Sequence, residues 1–129
     1  MLIQLDVQSE TPLYTQIMHH IMEGIATGQL KPGDPLPSVR SLAVDLGINF
    51  HTVNKAYQLL KEKGFVQIHR QKGVVIQPGG MPKNDDFYRE KLQKEIRPLL
   101  AEALCRGMDQ EQFLQVCQTV YQKIHDGEE

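Results

Sequence analysis

Leu13, Ile17, Ile21 and Ile25 recur every fourth residue, with Tyr14, Met18 and Met22 beside them. That spacing predicts a helix of about four turns with one buried stripe. Thr11-Pro12 reads as its start, a capping oxygen followed by a proline suited to the first turn. Gly28 reads as its end. Ahead of it, residues 2–7 (LIQLDV) form a short strand or an extended arm. Behind it, QLKPGDPLPS packs three prolines and a glycine into ten residues and predicts a loop.

The pattern then tightens. Ser38 is placed to cap a helix whose Val39, Leu42, Ala43 and Leu46 face inward. Gly47-Ile48 makes a short turn, and Asn49 caps the next helix. Val53, Ala56, Tyr57 and Leu60 lie at i, i+3, i+4, i+7 and form its inner face, which leaves His51, Asn54, Lys55 and Gln58 outside. Lys63 ends the helix and Gly64 takes the left-handed stop. Phe65, Val66 and Ile68, then Val74, Val75 and Ile76, flank RQKG and predict a hairpin with a basic tip.

Residues 78–86 carry Pro, Gly-Gly, Pro and acids without periodicity, which is linker chemistry. Beyond them Tyr88, Leu92, Ile96, Leu99 and Ala103 trace a helical stripe. Pro98 lies inside it, so a kink or a restart is expected there. Gly107 stops that helix. Asp109 caps a last one with Phe113, Val116, Cys117, Val120, Tyr121 and Ile124 in line. The expected fold class is mainly α with a small β-hairpin. A winged helix-turn-helix domain occupies residues 1–77, a linker 78–86, and a two-helix dimerisation segment 87–126.

Composition narrows the class. At 129 residues with 40% hydrophobic content the chain is globular, and no apolar run nears the ~20 residues that span a bilayer. With no secretory leader visible in residues 1–30, a cytoplasmic protein is expected, with Cys105 and Cys117 as buried thiols. The net charge of −2 hides an asymmetry. Residues 40–80 hold six Lys/Arg against two acids, and residues 81–129 hold seven against ten. A basic module joined to an acidic one fits a reader of phosphate plus an interaction segment.

A helix enters the DNA major groove only if its outer face offers donors, acceptors and positive charge while packing fixes its inner face. His51, Asn54 and Lys55 meet the first condition and the Val53-Ala56-Tyr57-Leu60 stripe the second. Two other readings share the pattern: a solvated amphipathic helix in an unrelated α-helical domain, and a winged helix that binds proteins with no DNA function. Catalysis has little to stand on. No Gly-rich phosphate loop, nucleophile elbow or zinc spacing appears, so neither a cofactor nor a metal is expected. His19-His20 reads as exposed polar surface. Asp85, Asp86, Glu90, Glu95 and Glu102 read as a solvated face. His69 either assists with phosphate or sits at a strand edge.

Over residues 10–77 the chain resembles the GntR family of bacterial transcription regulators. The resemblance is carried by PLYTQI at 12–17, GQLKPGDPLPSVR at 28–40, LA at 42–43, LG at 46–47 and TVNKAY at 52–57, with Leu60, Gly64 and a shortened basic wing. It implies DNA contacts, to base or backbone, from Arg40 with Ser38 beside it. It implies more from Asn49, Phe50, His51 and Thr52, and from Asn54 and Lys55 one turn on. The wing tip, Arg70, Gln71 and Lys72, is implied to enter the minor groove. Two departures from the family's RGxGTxV wing stand out, Gln71 in place of its first glycine and Val74 in place of its threonine. Phe50 fills a slot often polar; it either stacks on a thymine methyl or seals the helix against the turn.

The two-helix tail is similar to the YtrA-type subfamily. The resemblance implies a homodimer acting as a repressor, often of transporter genes, on a palindromic operator in double-stranded DNA. Tyr88, Leu92, Ile96, Leu99, Phe113, Val120 and Tyr121 are the expected dimer contacts, since two striped helices cannot cover both apolar faces alone. A dimer cavity lined by Phe87, Tyr88, Phe113 and Tyr121 has room for a small-molecule effector of unspecified identity.

Overall fold

The computed structural model describes residues 3–128, so Leu2 of the expected arm lies outside the described residues. The order is α1 (Leu13–Ala26), α2 (Val39–Leu46), α3 (Phe50–Glu62), β1 (Val66–His69), β2 (Gly73–Ile76), α4 (Asp86–Cys105) and α5 (Gln110–Asp126). This is mainly α with one antiparallel hairpin, the fold class that the pattern predicts. The described residues form two compact units that divide between Pro82 and Lys83.

In the first unit α3 is the hub, packing on α1, α2 and β1. Its inner face, Val53, Ala56, Tyr57 and Leu60, is fully buried against Ile17 and Ile21 of α1, Leu42 and Ala43 of α2, and Val66 and Ile76 of the hairpin. Ser38 caps α2 by accepting from the Ser41 amide at 3.0 Å. Gly47 then turns the chain at φ 67, a conformation cheap only for glycine. Asn49 Oδ1 caps α3 by accepting from the His51 amide at 2.8 Å. Tyr57 closes the unit: its hydroxyl donates to the Pro37 carbonyl at 2.8 Å, just ahead of the α2 cap. Burial pushes its phenol pKa well above the ordinary value.

Three local expectations are corrected. Thr11 caps nothing: Pro12, with ψ 147, is itself the residue before α1, and no side chain caps that end. The Gln16 amide instead straps the preceding segment, donating to the Asp6 and Thr11 carbonyls and accepting from the Asp6 amide. His20 Nε2 bonds the Gln4 carbonyl at 3.0 Å. Ile3 is buried beneath that strap, in extended chain rather than a strand.

The proline-rich segment, expected as plain loop, runs antiparallel beside β2. Leu36 N–H donates to the Val74 carbonyl and Gly33 N–H to the Ile76 carbonyl, both at 2.8 Å, and Pro35 faces Val75. Proline is tolerated there because an edge strand needs only some of its donors. β1 and β2 pair in the register Val66↔Ile76 to His69↔Gly73. Finally, Cys105 and Cys117 are exposed, not buried.

The second unit has no buried residue in either helix. α4 runs unbroken through Pro98, and Asp85 caps it by accepting from the Tyr88 amide. α5 opens with a capping box between Asp109 and Gln112. α4 and α5 do not pack along one another among the described residues.

Tyr57→Phe removes the donor to a part-buried carbonyl and is expected to cost about 1–2 kcal/mol of stability in denaturant melts. Because the fold raises this phenol's pKa, its contribution is complete below the unfolded value of about 10 and is lost as pH climbs beyond it. The native chain should therefore lose more stability between pH 9 and about 11 than Tyr57→Phe does; equal losses would rule out this role.

Candidate nucleic-acid interface

The outer surface of the first unit gathers three side chains at the start of α3. Arg40, on the first turn of α2, lays its guanidinium over the Phe50 ring at 5.3 Å from the centroid. The edge of that ring system meets His51, with ring centroids 5.3 Å apart and an interplanar angle of 74°. Phe50 remains 38% exposed, large for a phenylalanine next to a packed core, and borders a shallow cleft with Ala43, Val44, Gly47 and Ile48. The ring thus borders the helix-turn-helix corner and carries the Arg40 cation over its face. Arginine favours such stacking because its planar charge is weakly hydrated, and the contact contributes about 0.5–1 kcal/mol at an exposed site.

Other candidates sit differently. Ser38 and Asn49 are exposed, and their oxygens are engaged in capping α2 and α3. Thr52 and Asn54 are half-buried, and His51, Lys55 and Gln58 are exposed. Lys55 does not extend beside His51. Its ammonium lies 4.1 Å from the centre of the Tyr14 ring on α1. Sequence reasoning missed Tyr14, which stood beside the α1 stripe with no sign that it faces α3.

Arg70, Gln71 and Lys72 form the exposed tip of the hairpin. Gly73 closes it at φ 73, while no non-glycine residue among those described has positive φ. His69 Nδ1 accepts from the Gln71 and Lys72 amides, each at 3.2 Å. The tip therefore closes with glutamine where the resemblance expects glycine.

A family model described as "Bacterial regulatory proteins, gntR family" matches residues 13–76. The transcriptional repressor YtrA of Bacillus subtilis is 33% identical over 112 residues, covering 87% of this chain and 86% of that protein. The chain belongs to the GntR family. It is a DNA-binding transcriptional regulator, and the family is a regulatory rather than an enzymatic one. Among solved structures, YtrA from Sulfolobus acidocaldarius, a GntR-family transcription factor, is 42% identical with a TM-score of 0.63, over 77% of this chain and 97% of that one. A transcriptional antiterminator from Listeria monocytogenes EGD-e shares the fold along the whole chain, with a TM-score of 0.91 at 23% identity and 96% of that chain covered.

In the second unit Tyr88, Leu92, Ile96 and Leu99 of α4 and Val120 and Tyr121 of α5 are all at least 38% exposed, while Phe113 is half-buried. Leu99, Ala103, Met108, Val116 and Val120 border an open groove of about 920 Å³. Phe87, Tyr88, Phe113 and Tyr121 do not line it.

The Arg40–Phe50 stack is testable in the free protein. The Arg40 side-chain protons should show an upfield ring-current shift in the native chain and in Phe50→Tyr, and lose it in Phe50→Leu. Native shifts at ordinary arginine values would mean the two groups do not stack in solution.

Proposed function

We propose that the chain is a homodimeric, cytoplasmic repressor that reads a palindromic operator with two copies of its winged helix-turn-helix domain. The observation that carries this reading is the Arg40–Phe50–His51 cluster. Charge and donors stand exposed at the start of a helix whose opposite face is fully buried. A side chain so held can donate two bonds to a guanine edge in the major groove, the arrangement that distinguishes bases most sharply. Residues 1–77 serve as the DNA-binding domain, 78–86 as a linker and 87–126 as the dimerisation segment.

Within this reading the side chains divide by role. Arg40, His51 and Asn54 address base edges. Ser38, Asn49, Thr52 and Lys55 hold phosphates, since backbone-directed contacts set orientation. Phe50 supports Arg40 and offers its exposed ring to a thymine methyl. Arg70, Gln71 and Lys72 enter the minor groove, which admits cationic tips where it is narrow.

Pairing is supported by the bare helices of the second unit. Some 37 helical residues whose apolar stripes stay largely exposed among the described residues are marginal alone in water. A second copy covers Tyr88, Leu92, Ile96, Leu99, Phe113, Val120 and Tyr121. It also sets two reading heads about 34 Å apart on one face of the duplex. A small-molecule effector between the subunits, near Phe87 and Tyr121, would then act by changing that separation. Among the described residues no helix is long and apolar enough to cross a membrane. By its resemblance to the YtrA-type subfamily, the target in this reading is a transporter operon.

On duplexes selected from a random pool, Arg40→Ala and His51→Ala should each weaken binding by about 1–3 kcal/mol and relax preference at one base pair. Lys72→Ala should weaken all sequences alike and reduce the salt slope by about one. Unchanged affinity in all three variants would falsify the assignment. Replacing thymines one at a time by uracil separates Phe50's parts: a loss confined to one site marks methyl contact, and no loss marks support of Arg40 alone. For pairing, Leu99→Glu with Val120→Glu should give a monomer by sedimentation and abolish binding to the palindrome. A native chain that sediments as a monomer at micromolar concentration contradicts the proposal.

A further inference from the structure

We infer that His69 is the positioning residue of the wing, closing its tip in the place of a glycine turn and thereby presenting Arg70, Gln71 and Lys72. The inference deepens the proposed reading of DNA and rests on it for its functional half. Its structural half stands on the hairpin alone.

Three residues span the gap between His69 and its cross-strand partner Gly73. Such short connections need a left-handed residue at the end, and Gly73 fills that position. What remains is to orient the amides of Gln71 and Lys72, which point into the turn. Neither can be turned by a left-handed residue before it, because Arg70 and Gln71 both keep negative φ. His69 Nδ1 accepts both amides at 3.2 Å. A ring nitrogen that accepts carries no proton, so the neutral ring holds its hydrogen on Nε2.

The same device recurs elsewhere in the chain with other side chains. Asn49 accepts from the amide two residues on, and Ser38 and Asp85 from the amide three residues on. His69 does both at once. With its amides held, the tip loses conformers it would otherwise sample, and the ordering is complete before DNA arrives. Preorganisation of this kind lowers the cost of binding without adding a contact. It also lets residue 71 carry a side chain. Glutamine there offers a donor and an acceptor to the minor groove, where a guanine amino group is the chief distinguishing mark.

Amide exchange in the free, full-length protein tests the structural half. Gln71 and Lys72 amides should exchange several-fold faster in His69→Ala than in the native chain. His69→Asn should keep the slow rates, since its Oδ1 can accept from the same two amides. Equal rates in the native chain and His69→Ala, or an Asn variant as fast as the Ala variant, overturn the inference. Duplex binding tests the functional half. His69→Ala should bind the selected site roughly five- to tenfold more weakly, the scale of one or two modest hydrogen bonds. His69→Asn should stay within about twofold of native on the same scale. In an Arg70→Ala, Gln71→Ala, Lys72→Ala background the His69→Ala loss should fall below about twofold. An undiminished loss there would mean that His69 acts on DNA independently of the tip, against a positioning role. A native chain that binds no selected duplex defeats the proposed function itself, and the exchange arm still decides what His69 does.

Discussion

One hydrogen bond ties the surface around Arg40 and Phe50 together: the Tyr57 hydroxyl on the Pro37 carbonyl. Tyr57 is fully buried in the middle of α3, and Pro37 immediately precedes the residue that caps α2. The bond therefore fixes where α2 begins relative to α3. Arg40 stands two residues past that cap, and its place over Phe50 follows from it. The Pro37 carbonyl lies between two anchored neighbours, Leu36 bonded to Val74 and Ser38 capping α2, which hold it as an acceptor. A tyrosine here supplies both core volume and the one donor that a phenylalanine lacks.

Features set by neighbours in the chain were legible in the sequence. The buried stripes of α1 and α3, the caps at Ser38, Asn49 and Asp109, and the glycine stops at 47, 64 and 107 all depend on local spacing. Features set by rotamer or by distant partners were not. Nothing in the spacing of α3 says that Lys55 turns onto Tyr14, forty-one positions earlier, instead of standing beside His51. His69 read either as a phosphate contact or as a strand-edge side chain, because its bonds go to backbone amides, which no residue pattern displays. The prolines at 32, 35 and 37 read as loop, although Gly33 and Leu36 between them keep the two donors that reach β2.

The thiols show a different failure. Cys117 lies on the apolar line of α5, and an apolar line normally means a core. Here both cysteines are exposed, as no residue of α4 or α5 is buried among the described residues. Periodicity locates the face of a helix that needs cover; it cannot say which chain supplies it. The same reasoning explains the charges of α4. Glu90–Lys94, Lys91–Glu95 and Glu102–Arg106 are exposed pairs one turn apart. Each contributes about 0.3–0.5 kcal/mol, enough to favour the helix but not to hold it alone.

That weakness has a functional consequence. A single reading head carries only a modest excess of positive charge around α3 and the wing, so its grip on phosphate alone is limited. In the proposed dimer, two heads joined through the tail would turn the second contact into an intramolecular event, raising affinity by an effective concentration instead of by new contacts. The wing, already closed by His69, reduces the ordering each head must undergo on landing. On that proposal operator occupancy would depend steeply on pairing, because an unpaired head has only a modest excess of charge with which to hold on. A molecule paired in the proposed way would be most sensitive at α4 and α5, far in sequence from Arg40 and His51. Any ligand that shifts the pairing of α4 and α5 would control DNA binding without touching Arg40.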